Sequence, residues 1–236
     1  MPPVLETRVV STLSPTARTT IGRGHARALH DRSALLGILG EALICHLGVV
    51  IDGSPVVLPT AFGVDHSGPD RDGTLYLHGS VAARSLRAGL ESEVCVTVTL
   101  IDGLVLARSA FHHSMNYRSA VIRGSGRLVD DEEEKIRALG LIVDHVVPGR
   151  AATLRPHRRK ELAATVVVAL PLYEASVKRR VGDPVDDADD VVAGTWAGVV
   201  PLRVTAGAVD TSADARDVEV PEGVLRRAGS LAPSCG

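Results

Sequence analysis

Between Arg108 and Ser119 the chain reads Arg-Ser-Ala-Phe-His-His-Ser-Met-Asn-Tyr-Arg-Ser, flanked by the apolar, strand-like runs 94–106 and 120–129. A strand facing only water has no need of imidazole, hydroxyl, amide, phenol and guanidinium together, whereas a strand lining a polar ligand does. Strict alternation predicts His112, Ser114, Asn116 and Arg118 on one face and His113, Met115, Tyr117 and Ser119 on the other. The first face would offer an imidazole, an amide and two further donors to one ligand surface. A local bulge would scramble this split, and the competing account is a polar barrel exterior or a subunit contact.

His78-Gly79-Ser80 followed by Arg84 forms a second constellation. A strand ends there, a glycine permits close backbone approach, and Ser80 is placed to cap a helix. Free N–H groups and the dipole at such a terminus attract a phosphate, and Arg84 one turn later adds a charge-assisted bond. The plainer account is a capped surface helix with solvated arginines. Lys178-Arg179-Arg180 before Gly182-Asp183-Pro184 is a basic loop that can meet an anion but is more often a solvated turn. Trp196, the single tryptophan, defaults to core or interface packing. No dedicated general acid or base stands out; His78 and Tyr117 are the catalytic candidates.

Other chemistries find little support. Of the nine histidines, His25 and His30 lie in an N-terminal arm, and the adjacent His112 and His113 point to opposite faces. There is no HExxH motif or Cys/His quartet, so no metal site is expected. GxSxG, Walker and post-strand GxGxxG motifs are also missing, which argues against serine hydrolysis and nucleoside-triphosphate chemistry.

The elements that must position these groups follow from periodicity. Asp31 or Ser33 caps a helix with Leu35, Leu36, Leu39, Leu43 and Ile44 at helical spacing. Strands are predicted at 44–51 and 55–64, joined at Asp52-Gly53, and at 74–78. A short helix follows Ser80. Strand 94–101 turns at Asp102-Gly103 and returns as 104–114, and 117–129 is the next strand. Asp130 with Glu133 opens a helix that Pro148-Gly149 ends. Strands 165–172 and 196–204 complete the set, with an acidic solvated loop at 183–190. Strands in hairpin order suggest an antiparallel barrel, which removes exposed sheet edges.

The 236 residues carry a net charge of −2, 45% hydrophobic and 23% charged residues, and only 3% aromatics. That composition fits a single globular domain and argues against a nucleic-acid surface. The three cysteines include no CxxC pair, so free thiols are expected. No stretch has the roughly 18 apolar residues of a membrane span, and a cytoplasmic location is expected. The expected organisation is an extended arm over 1–25, a main domain over 26–204, and a loosely ordered tail over 205–236.

Together, Glu41 to His46, Leu75 to Ser80, Asp102 to Ser119, Pro148-Gly149-Arg150, Ala175 to Arg180 and Trp196 to Val199 resemble the pyridoxamine 5'-phosphate oxidase-related family of FMN-binding split barrels. The likeness runs from about residue 20 to residue 204 and is greater still to the nitroimidazole-resistance-like branch. It implies a mainly β protein with short helices, a six-stranded antiparallel split barrel acting as a homodimer with FMN at the subunit interface. It implies FMN phosphate near His78, Gly79, Ser80 and Arg84, and the ribityl chain and ring along Ser114, Asn116, Tyr117, Arg118 and Ser119. Pro59 and Thr60 would set backbone beside the ring; Lys178 and Trp196 would come from the partner. The arginine-rich signature for a substrate phosphate is missing, so vitamin B6 oxidation is not implied. The implied activity is flavin-dependent oxidoreduction of a small organic substrate, with a nicotinamide or deazaflavin as electron donor. The alternatives are a flavin- or haem-binding protein without turnover, with His78 as axial ligand, and a nitroimidazole-type nitroreductase.

Overall fold

A computed structural model of the chain describes residues 12–13 and 16–232. Seven strands form one antiparallel sheet: β1 (Ala28–Leu29), β2 (Cys45–Ile51), β3 (Ser54–Thr60), β6 (Glu93–Leu106), β7 (Ser114–Ser125), β10 (Ala175–Arg180) and β11 (Gly198–Pro201). Their order is β1-β10-β7-β6-β2-β3, with β11 pairing to the far half of β6. The other four, β4 (Phe62–Asp65), β5 (Thr74–Ser80), β8 (Arg127–Leu128) and β9 (Thr165–Pro171), form a second sheet in the order β4-β5-β9-β8. Six α-helices are described: α1 (Arg32–Glu41), α2 (Arg84–Glu91), α3 (Glu132–Val146), α4 (Arg159–Ala164), α5 (Ala188–Val192) and α6 (Glu222–Ser230). The expected antiparallel barrel is therefore split into two sheets.

The main core lies between them. Asp31 caps α1 by accepting from the Ser33 N–H at 2.8 Å, and the i, i+3, i+4 set Leu35, Ile38 and Leu39 is buried. β5 is buried on both faces, which is why its sequence is continuously apolar rather than alternating. Leu75 and Leu77 enter the main core, while Tyr76 enters a second core with Leu139 and Ile142 of α3. β3 is an edge strand, so Pro55 and Pro59 cost no ladder bond that a neighbour needs.

Several expectations are corrected. Asp102-Gly103 is not a hairpin: β6 runs through it, with a register shift between Ile101 and Gly103 that absorbs the extra residue. The reversal falls later, in the 3₁₀ turn Ala110–His112. The strand expected over 55–64 divides at Ala61, where the chain passes from one sheet to the other. α3 is capped by Asp131, one residue beyond the expected Asp130, which accepts from Glu134 N–H at 2.7 Å. In the last strand only Gly198–Pro201 pairs, so Trp196 lies before it.

Both ends of the described chain make contacts. Leu13 is buried in the main core, and Arg18 pairs with Glu93 at the start of β6 and with Glu174 between β9 and β10. The tail includes α6, whose Arg227 Nε donates to Val146 O at 3.0 Å. Residues 1–11, 14–15 and 233–236 lie outside the described residues. Among the described residues no helix is long and apolar enough to cross a membrane.

One polar network ties the second sheet to α3. Tyr76 Oη donates to Glu134 Oε1 at 2.9 Å, and Arg127 donates to the same carboxylate at 2.7 and 3.1 Å and to Asp70 at 2.8 Å. Arg127 holds the Glu134 carboxyl below the usual range. A depressed carboxylate stabilises the fold at neutral pH, and that contribution disappears as pH falls through the carboxylate range. Glu134→Gln should therefore cost about 2 kcal/mol near neutrality and progressively less towards acid. Urea midpoints across that pH range check it; a cost independent of pH would mean that the charge is not what matters.

Candidate functional site

The end of β5 carries the first group of expected residues. His78 pairs with Val167 of β9, which is fully buried in the second core, so the imidazole shares that face. Its Nδ1 is inaccessible and has no hydrogen-bond partner. Burial pushes its pKa below the ordinary imidazole value, which keeps the ring neutral. An orphaned buried nitrogen costs about 1–3 kcal/mol.

Gly79 points the other way. A Cβ added there would lie 2.8 Å from Leu86 Cδ1, so the glycine lets α2 sit against the strand end. Ser80 does not cap that helix, contrary to expectation. Its Oγ accepts from Ala82 N–H at 3.2 Å within the turn, and α2 begins four residues later behind Ala83 without a side-chain cap. The first-turn N–H groups thus keep the unsatisfied, positive character that attracts anions. Arg84 stands at that terminus and is paired with Asp52 of the β2–β3 turn. Arg87 donates from Nε and Nη2 to Val81 O at 3.1 and 2.7 Å, fixing the approach to the helix.

Pro59 and Thr60 lie just before β4, at the end of β3. β4 pairs with β5 as Phe62↔Leu77. Before it, Thr60 pairs with Cys45 and Pro59 with His46 of β2, so both belong to the large sheet. His78, Gly79, Ser80 and Arg84 thus lie together where β5 leads into α2, whereas Pro59 and Thr60 end β3, at the other end of that strand from the Asp52 that Arg84 meets.

The central segment divides into two groups instead of presenting one face. Ser119 lies directly opposite Lys178, and Tyr117 opposite Arg180, on the outward side of the large sheet. Inward, Asn116 is 7% exposed, and its amide is already committed: Nδ2 donates to Gly182 O at 3.1 Å, and Oδ1 accepts from Arg180. Asn116 thus positions the 182–187 loop instead of facing a ligand. Arg118 donates to Asp102 at 2.7 and 3.0 Å and to Glu41 at 2.8 Å, and the two carboxylates push its pKa up. Ser114 begins the strand, while His112 belongs to the turn and loses the alternation.

The acidic loop expected to be solvated is partly a clamp. Asp186 has a side chain only 1% exposed and accepts from the Arg108 N–H at 2.8 Å and Nη1 at 2.7 Å. Lys178 Nζ donates to Arg23 O at 3.1 Å. Trp196 is 68% exposed on one chain. Sequence reasoning missed Asp52, Arg87 and Asp186 as site-shaping residues. Asp52-Gly53 signalled only a turn, and nothing in the spacing of Asp186 distinguishes it from its solvated neighbours.

Residues 31–179 match the family described as pyridoxamine 5'-phosphate oxidase. Among solved structures, the flavocytochrome Anf3 from Azotobacter vinelandii is similar to this chain at 37% identity and a TM-score of 0.83, over 91% of this chain and 98% of that one. The FAD and haem binding protein from Mycobacterium smegmatis is also 37% identical, with a TM-score of 0.78 over 85% of this chain and 97% of that one. A proposed 5-nitroimidazole antibiotic resistance protein from Bacteroides thetaiotaomicron is 26% identical, with a TM-score of 0.52 over 64% of this chain and 85% of its own. No curated protein sequence matches the chain.

Proposed function

Because this chain belongs to the pyridoxamine 5'-phosphate oxidase family, we propose that it binds a flavin at the end of β5 and uses it for oxidoreduction. The observation that carries this reading is the anion-ready terminus of α2, with Arg84 at it and Gly79 packed close against it. The flavin phosphate would lie on the α2 terminus and Arg84, with Ser80 at the same turn. Pro59 and Thr60 would flank the ring. FMN is the smaller occupant; FAD, which the M. smegmatis relative binds, needs the same first phosphate.

The flavin would supply hydride-accepting chemistry, while the protein supplies orientation and electrostatics. Tyr117, with Ser119 and Lys178, lies on the outward face of the other sheet, and a homodimer would carry these residues to the partner's cofactor. Phe111 at 89%, Val192 at 86% and Trp196 at 68% exposure are apolar groups that a second copy would cover. Trp196→Ala should leave the unfolding of the single chain unchanged but weaken dimer and flavin together. A variant with native mass and full flavin occupancy would remove Trp196 from the interface.

A second reading keeps a haem beside the flavin, as in the flavocytochrome relative. His78 is the imidazole this reading would use, through Nε2, since Nδ1 is buried and a neutral imidazole is an axial iron ligand by chemistry. Ligand-free protein titrated with FMN, FAD and haemin separates the two readings. Quenching of flavin fluorescence supports the first, and a Soret band lost in His78→Ala supports the second. Anaerobic bleaching of the flavin by NADH or NADPH would identify an enzyme with a nicotinamide donor, and a nitroimidazole substrate would reoxidise it if the protein is a nitroreductase.

A further inference from the structure

Between α3 and β9 the chain turns outward, and residues 152–160 are exposed without interruption up to and into α4. Residues 150–161 carry five cations, Arg150, Arg155, Arg158, Arg159 and Lys160, with His157 among them, against the single carboxylate of Glu161. The whole chain has a net charge of −2, so positive charge is concentrated here. Glu161 is spent locally. It accepts from Arg155 at 2.6 and 3.0 Å and from the Arg158 N–H at 2.9 Å, bonds that hold its carboxyl down to about 2. With Pro156, they fix the bend that presents the remaining cations. Arg159 and Lys160 make no ion pair among the described residues, and Arg150 meets only a hydroxyl, Thr153 Oγ1, at 3.2 Å. Leu154 stands among these cations with 46% of its surface in water. Two sets of carboxylates lie near. Asp144 of α3 accepts from the Ala151 N–H at 2.7 Å. The acidic first turn of α3 follows Val129, whose N–H donates to Val167 O, so it lies towards the other end of α4, where β9 begins.

These features select a partner. A ridge of consecutive exposed residues meets a surface; it does not enclose a small molecule. Closely spaced, unpaired cations reward dense negative charge. An apolar side chain left in water between them rewards a partner with an apolar layer beneath that charge. An anionic bilayer offers both, headgroup phosphates at the surface and acyl chains below. An acidic polypeptide or a nucleic acid answers the charge alone, and the ridge has no aromatic side chain on which a base could stack. We propose that residues 150–160 dock the protein on an anionic phospholipid surface, with Arg150, Arg158, Arg159 and Lys160 among the headgroups and Leu154 at the acyl boundary. The other end of α4 touches the turn before α2, where Ala164 O accepts from Val81 N–H at 3.1 Å. Docking therefore sets that turn about one short helix, ~9 Å, from the headgroups. The ridge uses none of the residues of the flavin reading and is tested apart from it.

The test sediments the full purified chain with vesicles of phosphatidylglycerol mixed into phosphatidylcholine and with vesicles of phosphatidylcholine alone. The chain should bind the first and not the second. Raising salt to about 1 M, where the screening length falls to about 3 Å, should release it. Each cation near an anionic surface is worth about fivefold in binding, so Arg158→Gln, Arg159→Gln and Lys160→Gln together should weaken it about 100-fold. Leu154→Ser should weaken it about fivefold. All four side chains are exposed, so the thermal midpoint should stay that of the parent, and the single variant Lys160→Gln, about fivefold weaker, repeats the test with the least disturbance. Arg216→Gln with Arg226→Gln removes charge from the tail instead and should leave binding unchanged. Failure to bind the anionic vesicles, equal binding to phosphatidylcholine, or an equal loss in the tail variant overturns the proposal. So does capture by polyglutamate without capture by vesicles, which would assign the ridge to an acidic polypeptide.

Discussion

Gly63→Ala should lower the thermal midpoint of this protein by about 5–10 °C. An alanine Cβ at that position would stand 2.8 Å from the Ile142 backbone nitrogen and 2.9 Å from the Leu141 carbonyl carbon. Both obstacles are backbone atoms of α3, not the ends of flexible side chains, so either the helix lifts or β4 leaves its sheet. Overpacking of this kind costs about 1–3 kcal/mol, and in a chain of this size each kcal/mol shifts the midpoint by about 2–4 °C. Because α3 carries Leu139 and Ile142 over Tyr76, the loss should be cooperative. A circular-dichroism melt matching the parent would contradict the close packing of α3 on β4.

The second large effect concerns the cofactor and comes as a pair of opposite sign. Arg84→Ala removes a charge-assisted bond worth about 1.5–3 kcal/mol to a bound phosphate, so flavin affinity should fall about 10- to 100-fold. Asp52 is the carboxylate that Arg84 holds, so it would compete with a bound phosphate for the same guanidinium. Asp52→Asn should raise affinity by a smaller factor, because both groups are well exposed and the pair is weak in water. Equilibrium dialysis against FMN and FAD measures both. If Arg84→Ala binds as the parent does, this arginine is not the phosphate anchor, and equal affinities in the Asp52 variant would mean that the two anions never compete.

Some of this architecture is written plainly in the residues. The helix behind Asp31 is legible because a cap and an apolar i, i+3, i+4 stripe coincide there. β5 is legible because an apolar run ends in His-Gly-Ser. The central polar block is also visible, and it carries the family resemblance. What fails is local reversal. Asp102-Gly103 has the composition of a turn, yet pairing on both edges of β6 holds the strand straight, and a bulge takes up the extra residue. Ser80 is a good cap by type, but the chain spends four residues turning before α2 starts. The fate of Asn116 and Asp186 depends on the 182–187 loop folding back over the 108–116 turn, a long-range contact that no spacing rule contains.

The same limit explains why one polar face in the sequence becomes two groups in the fold. Alternation holds from Ser114 onward, so Asn116 and Arg118 face inward with Ala120 and Ile122, while Tyr117 and Ser119 face out. Partners then decide the chemistry of each: the inward pair is consumed by Gly182, Arg180, Asp102 and Glu41. The outward pair stays available on the sheet surface beside Lys178.

The most direct measurement is the visible absorption spectrum of the protein purified without added ligand, followed by chromatography of whatever heat denaturation releases. The account predicts oxidised-flavin bands and release of FMN or FAD in stoichiometric amount. A colourless protein that takes up neither flavin on dialysis would contradict it.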